Sequence, residues 1–379
     1  MAKRIGLLTG GGDAPGQNVC LKAVVYNAIA HGFEVIGIRK GWEGLLNYDP
    51  DNPSTLGDNA MELTKIRVRD IDRTPGSYLH SSRVDPSIVS KGALPDFLRS
   101  RYKENGPFDL TSHVKRTIEK LQLEALVVVG DRNALVYAAR LSQEGIPIIG
   151  VPKTVNNDVS GSDYAIGFSS ALGRGVRFIQ EMRAMASSRE EIAVIETLGA
   201  TTGLTTMLIS FLAGADRALI PEVPFDPERL AGHLMEDQRN NPANYAILVM
   251  SEVAQIHKDA LTKYQLPTDL RVTGNGPIVT QILEDITAKR MVFQPLSYLI
   301  RTGEADGQDF LGAMNFGIMA VNLISQGKTG RMTAYRQRES YADMPIDTVC
   351  QGMGNVNVTE HYDDKAYTAK SSIIWAAKL

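Results

Sequence analysis

The strongest constraint on how this chain can fold is a series of short, largely apolar runs at 5–9, 34–38, 125–129, 148–151, 192–196 and 246–251, with segments of helix length between several of them. Strands that are apolar on both faces belong in parallel sheets covered by helices on either side. The pattern therefore predicts an α/β fold. The first run leads into Thr9-Gly10-Gly11-Gly12-Asp13-Ala14-Pro15-Gly16, and the residues beyond it predict a helix over 17–30. Doubly wound folds admit a phosphate at such a turn, because glycine lets backbone amides approach an anion and the helix N-terminus adds partial positive charge. Taken alone, the turn fits a plain strand-to-helix connection equally well.

With 379 residues, 43% of them apolar, two domains with full cores are expected. A net charge of −3 with well-mixed signs offers no basic footprint, so nucleic acid is not an expected partner. The opening apolar run is far shorter than a signal core or a membrane span, so no membrane partner is expected either. Cys20 and Cys350 are the only cysteines, which fits a reducing compartment and predicts a cytoplasmic protein. Polar, turn-rich inserts at 48–63 and 86–109 are expected at the surface, and a third at 257–276 precedes a predicted helix over 277–289. The stretch 362–375 reads as a surface segment or a subunit contact.

Downstream stands Pro152-Lys153-Thr154-Val155-Asn156-Asn157-Asp158. Joined in order with the glycine-rich turn, with Gly41-Trp42-Glu43-Gly44-Leu45, and with Arg73-Thr74-Pro75-Gly76-Ser77-Tyr78-Leu79-His80-Ser81-Ser82-Arg83, it resembles the 6-phosphofructokinase family, in which this segment reads PKTxDND. The resemblance continues through Ile166-Gly167-Phe168, Ile195 to Gly199, Ser251-Glu252 and Tyr298 to Asp309, and so covers nearly the whole chain. Lys153 is similar to the pyrophosphate-using branch, since ATP users tend to carry glycine there.

The resemblance also exposes what has changed. Phosphoryl transfer to a sugar hydroxyl needs positioning, a cation clamp on the phosphate and usually a carboxylate to take the hydroxyl proton. The family's proton acceptor falls on Asn156, whose carboxamide cannot accept a proton at neutral pH. The family aspartate that supports Mg²⁺ falls on Arg132 in Gly130-Asp131-Arg132-Asn133-Ala134, with Asp131 one place earlier as a possible stand-in if the chain slips locally. An arginine there repels a hard cation and could replace it as an anion partner. Family arginines fall on Ala200 after Leu198-Gly199, on Glu191 and on Val292.

The resemblance implies a phosphofructokinase-like fold of two domains, each a mainly parallel sheet between helices. One would comprise 1–160 and 301–360 on the donor side, the other 161–300 on the sugar-phosphate side, with 361–379 as a tail and a cleft between the domains. The implied catalytic positions are Lys153, Thr154, Asn156, Asp158 and Arg132. Donor or phosphate contacts are implied for Gly11, Gly12, Asp13, Arg83, Asp131 and Asn133. Sugar-side contacts are implied for Leu198, Gly199, Ala200, Glu252, Tyr298 and Arg301, although Glu252 could equally cap a turn. The expectation is a family member with a degenerate site that binds pyrophosphate, a nucleotide or a sugar phosphate. It would act as a regulatory or non-catalytic subunit, in a homo-oligomer or with an active relative. No metal is expected, and Mg²⁺ enters only if the chain is active. The alternative is an active pyrophosphate- or ATP-dependent phosphotransferase in which Asp158 or Asp131 takes over proton or metal duties.

Overall fold

The computed structural model describes residues 3–199, 202–264, 274–337, 340–352 and 357–376. In chain order the strands are β1 (Lys3–Gly10), β2 (Phe33–Ile38), β3 (Ala60–Glu62), β4 (Leu123–Gly130), β5 (Ile148–Pro152), β6 (Ile192–Thr197), β7 (Arg217–Leu219), β8 (Ala246–Ser251), β9 (Met291–Pro295), β10 (Arg331–Arg336), β11 (Ser340–Pro345), β12 (Tyr362–Asp363) and β13 (Thr368–Ala369). The chain divides into two compact units, Met1–Ser170 with Arg301–Gly352, and Ala171–Ile300 with Met353–Leu379.

In the first unit the strands run β11-β10-β5-β4-β1-β2-β3. The inner pairings are parallel, and β11 and β3 close the two edges antiparallel. Side chains alternate across a strand, so one apolar run can feed two cores. Ala125, Val127 and Val129 of β4 join Cys20 and Val24 of the helix Gln17–Ala30 and Phe316 of the helix Gly307–Ser325. Leu126 and Val128 point the other way, into a core with Leu135 and Ala138 of the helix Arg132–Gln143 and Val114 of the helix Thr111–Lys120. Each of the larger side chains, the valines, leucines and Phe316, contributes roughly 1.5–3 kcal/mol when removed from water. The 86–109 insert differs from the surface loop expected: Val89, Leu94 and Leu98 are buried in the second core, because Val89 pairs with Phe108 and turns the loop inward.

Asp309 has no exposed surface. Its carboxylate accepts from the Tyr164 hydroxyl, from Gly167 N–H at 2.7 Å and from Ser170 N–H at 2.8 Å. It thereby satisfies otherwise orphaned amides where the helix Phe168–Arg189 begins.

The second unit is built on a parallel sheet of order β7-β8-β6-β9. The predicted helix near 277–289 forms as Gly276–Thr287. The closing segment, expected at the surface or a subunit contact, is instead built into this unit. Tyr362 and Tyr367 are buried, and Tyr367 accepts Ala218 N–H of β7 on its carbonyl. Its hydroxyl accepts from Asp226 N–H and from the Arg229 guanidinium, both at 2.9 Å. Two amphipathic tyrosines on a short β12–β13 hairpin give this polar-looking stretch enough apolar area to pack.

Candidate functional site

The sheet register of the first unit brings three separate turns to one edge. Gly10 at the end of β1 pairs with Gly130 at the end of β4, and Gly130 pairs with Pro152 at the end of β5. The segments that follow, beginning at Gly11, Asp131 and Lys153, therefore emerge side by side. Lys153 N–H donates to Gly130 O at 2.9 Å. A fourth piece is tied on when Gly11 N–H donates to Ser82 O at 3.0 Å and the Ser81 hydroxyl donates to Gly11 O. That attachment carries Arg83 to the same edge.

Gly11 has φ +82°, and a methyl built on it would fall 1.9 Å from an Asp131 carboxylate oxygen, so no larger residue fits. A methyl on Gly12 would sit 2.9 Å from an Arg301 guanidinium nitrogen and 3.2 Å from one of Arg83. Gly12 thus forms the floor of a cradle against which two guanidinium groups lie. The Lys153 amine donates to Gly12 O at 2.6 Å. Lys153 is fully buried, and its pKa is lowered from 10.5 to about 8. Burial is the main cause; Asp131 and Asp13 oppose it, and Arg301 and Arg83 reinforce it. Three cations thus converge on the backbone of Gly12 and Asp13, close to the start of the helix Gln17–Ala30, an arrangement that favours a polyanion. Arg301, implied on the sugar side, is found with this group, its guanidinium 3.5 Å from Asp13 O.

Beside the cradle the substituted positions take their places. Asp131 caps the helix Arg132–Gln143, its Oδ1 accepting Ala134 N–H at 3.1 Å. Arg132 opens that helix, and its Nε is buried with no hydrogen-bond partner among the described residues. Asn133 is exposed on the same first turn. Thr154 Oγ1 accepts Asn156 N–H at 3.1 Å, fixing the turn on which Asn156 is buried with its Oδ1 unpartnered among the described residues. Burial raises the Asp158 pKa, the Asp131 charge adds to the rise, and hydrogen bonds from Thr154, Asp158's own backbone and Asn156 temper it. Magnesium needs several oxygen ligands in near-octahedral order. The family's magnesium position holds Arg132, and one Asp131 oxygen is committed to the helix cap. The residues present therefore do not fit the family's magnesium arrangement.

In the second unit, Thr197 at the end of β6 pairs with Ser251 at the end of β8, which places Leu198, Gly199 and Glu252 together. Ser251 Oγ donates to Gly199 O at 3.2 Å, and Glu252 N–H donates to Thr197 O at 2.9 Å. Tyr298 is largely exposed. Ala200 lies outside the described residues. Glu191 has the Arg189 guanidinium 4.0 Å from its carboxylate. Sequence reasoning passed over Glu196, a buried carboxyl that accepts Gly276 N–H at 2.8 Å; burial raises its pKa, and the charge of Glu252 raises it further. A lone Glu inside an apolar strand run was the available signal.

Residues 4–324 match the model of the phosphofructokinase family. The chain belongs to that family. It is 32% identical over 371 residues to an ATP-dependent 6-phosphofructokinase of Chloroflexus aurantiacus, an alignment covering 97% of this chain and 96% of the relative. It is 31% identical over 358 residues to a pyrophosphate–fructose 6-phosphate 1-phosphotransferase of Dictyoglomus thermophilum, covering 92% and 93%. Relatives of similar identity are thus named for either donor. Among solved structures, the pyrophosphate-dependent phosphofructokinase of Marinobacter aquaeolei superposes with a TM-score of 0.78 at 18% identity, covering 99% of this chain and 91% of that one. The corresponding protein of Nitrosospira multiformis gives 0.79 at 15%, covering 100% and 91%. These structural matches establish the phosphofructokinase fold, two α/β units with parallel sheets between helices.

Proposed function

We propose that this phosphofructokinase-family chain binds a phosphorylated ligand of the pyrophosphate class at the Gly11–Gly12 cradle and acts by binding, its phosphotransfer reduced to a small residue or lost. The observation that carries the reading is Asn156. It stands buried where the family keeps a proton acceptor, and its amide cannot take the hydroxyl proton of a sugar. Loss of a positioned general base lowers rate by roughly 10²–10⁴. The cradle itself retains Lys153, Arg83, Arg301 and the glycines, which supports continued anion binding. Under this reading the chain works in the cytoplasm as a homo-oligomer, or as a regulatory partner of an active relative.

A second reading, an active phosphotransferase on fructose 6-phosphate or another sugar phosphate, is favoured by the near full-length similarity to relatives named as active enzymes. It is favoured as well by Asp158, whose raised pKa suits a base close to Asn156. In that case the sugar oxygen attacks the terminal phosphorus, the bond to the leaving phosphate breaks, and Asp158 takes the hydroxyl proton.

Phosphorus NMR separates the two. The natural protein is incubated with fructose 6-phosphate, Mg²⁺ and either pyrophosphate or ATP, beside the variants Asp158→Asn and Arg132→Asp/Asn156→Asp. The first reading expects no enzyme-like turnover in the natural protein and a gain in the double variant. Turnover that Asp158→Asn abolishes would overturn it in favour of the second.

A further inference from the structure

We propose that the Gly11–Gly12 cradle takes its polyphosphate as the free anion, with protein cations in the role of a divalent metal, so that Mg²⁺ competes for the ligand instead of bridging it to the chain. The inference rests on the phosphate-binding reading above and specifies the form of ligand the site accepts.

The charges at the strand ends point this way. Two guanidinium groups, those of Arg83 and Arg301, flank Gly12, and the Lys153 amine is anchored on its carbonyl. Arg132 adds a fourth cation at the same edge of the sheet, with a buried Nε–H that has no acceptor among the described residues. Buried donors are rarely left unmatched, so this one offers a hydrogen bond to a ligand oxygen. Two carboxylates stand among these cations. Asp131 Oδ1 caps a helix, and the charges of Asp131 and Asp13 act on the buried Lys153. Burial raises the Asp158 pKa, and Asn156 carries no charge. A hard dication placed here would meet fixed guanidinium charge, which repels it. A free polyphosphate would meet cations and two helix N-termini.

The test is calorimetric titration of the full chain with sodium pyrophosphate, once in excess chelator and once in excess Mg²⁺. The proposal expects binding in chelator and affinity weakened about tenfold or more by Mg²⁺, which withdraws free ligand. Arg132→Gln should lose about 10- to 100-fold in chelator, the worth of one charge-assisted contact. Arg132→Asp should reverse the order and bind better with Mg²⁺. Binding that requires Mg²⁺ in the natural protein would overturn the proposal while leaving the phosphate-site reading intact. No binding in either medium would overturn both. Unaltered affinity in a folded Arg132→Gln protein would also sink it. Should the variants fail to fold, the two titrations of the natural protein decide the matter unaided.

Discussion

Lys153 shows how much a single residue depends on its surroundings. In the chain it is one more lysine, readable only as a branch marker; in the fold it is a desolvated amine beside four charged groups. Its pKa of about 8 lies below the unfolded value, so between about 8 and 10.5 the unfolded chain binds a proton that the folded chain does not. Folding stability therefore gains from this residue as pH rises through that window, and its cost is fully present below it. Anion affinity runs the other way. Binding of pyrophosphate should weaken about tenfold between pH 7 and pH 9, as the amine must be recharged to hold the ligand. Lys153→Met should flatten that difference, which separates the lysine from the ligand's own titration. The variant should also melt higher in the absence of ligand, since a buried charge has been removed; a lower melting temperature would argue that the bond to Gly12 O outweighs desolvation. Asn156 and Arg132 were singled out by the family resemblance, because no gap separates them from the motifs that carry it. What neighbours they meet was not visible in it.

At the scale of elements, helix starts carry much of the local order. Asp131 and Asp309 both satisfy helix N-termini, one from the adjacent position and one from far along the chain. The first is visible in sequence as an Asp before a helical stretch. The second is not, since a cap supplied from another helix leaves no local pattern. Asp309→Ala should cost about 3 kcal/mol or more in urea unfolding, because it strands two backbone amides and a buried tyrosine hydroxyl. Asp309→Asn keeps an acceptor and should cost less. Equal losses for the two would show that the carboxylate charge matters more than the acceptor. The strand runs were read from sequence because both faces of each are apolar. β7 and β3 escaped, being only three residues long, and β10 and β11 alternate with polar residues as strands near a sheet edge can.

At the scale of the whole molecule, the proposed cradle belongs to the first unit. Pyrophosphate should slow hydrogen exchange at residues 11–13, 131–134 and 153–158 of the first unit and leave β6 and β8 of the second unchanged. Protection spread evenly over both units would contradict a cradle confined to the first. The closing segment gives the complementary prediction. Tyr367→Ala should destabilise the second unit by about 3–5 kcal/mol, as loss of a buried aromatic does, without altering pyrophosphate affinity. Denaturant melts and calorimetry on the same variant check both halves. The sequence by itself determined the α/β alternation, the glycine turn after β1, family membership and the positions where family side chains have been exchanged. The alternation follows from apolar periodicity and the rest from the resemblance of ordered motifs to the family, both of which are read along the chain. Only the tertiary structure decided that Arg83, Lys153 and Arg301 converge on Gly12, that Lys153 is stripped of water, and that the closing segment belongs to a core. Those outcomes depend on strand register and long-range burial, where residues far apart in the chain compete for the same space, and no window of sequence contains that competition.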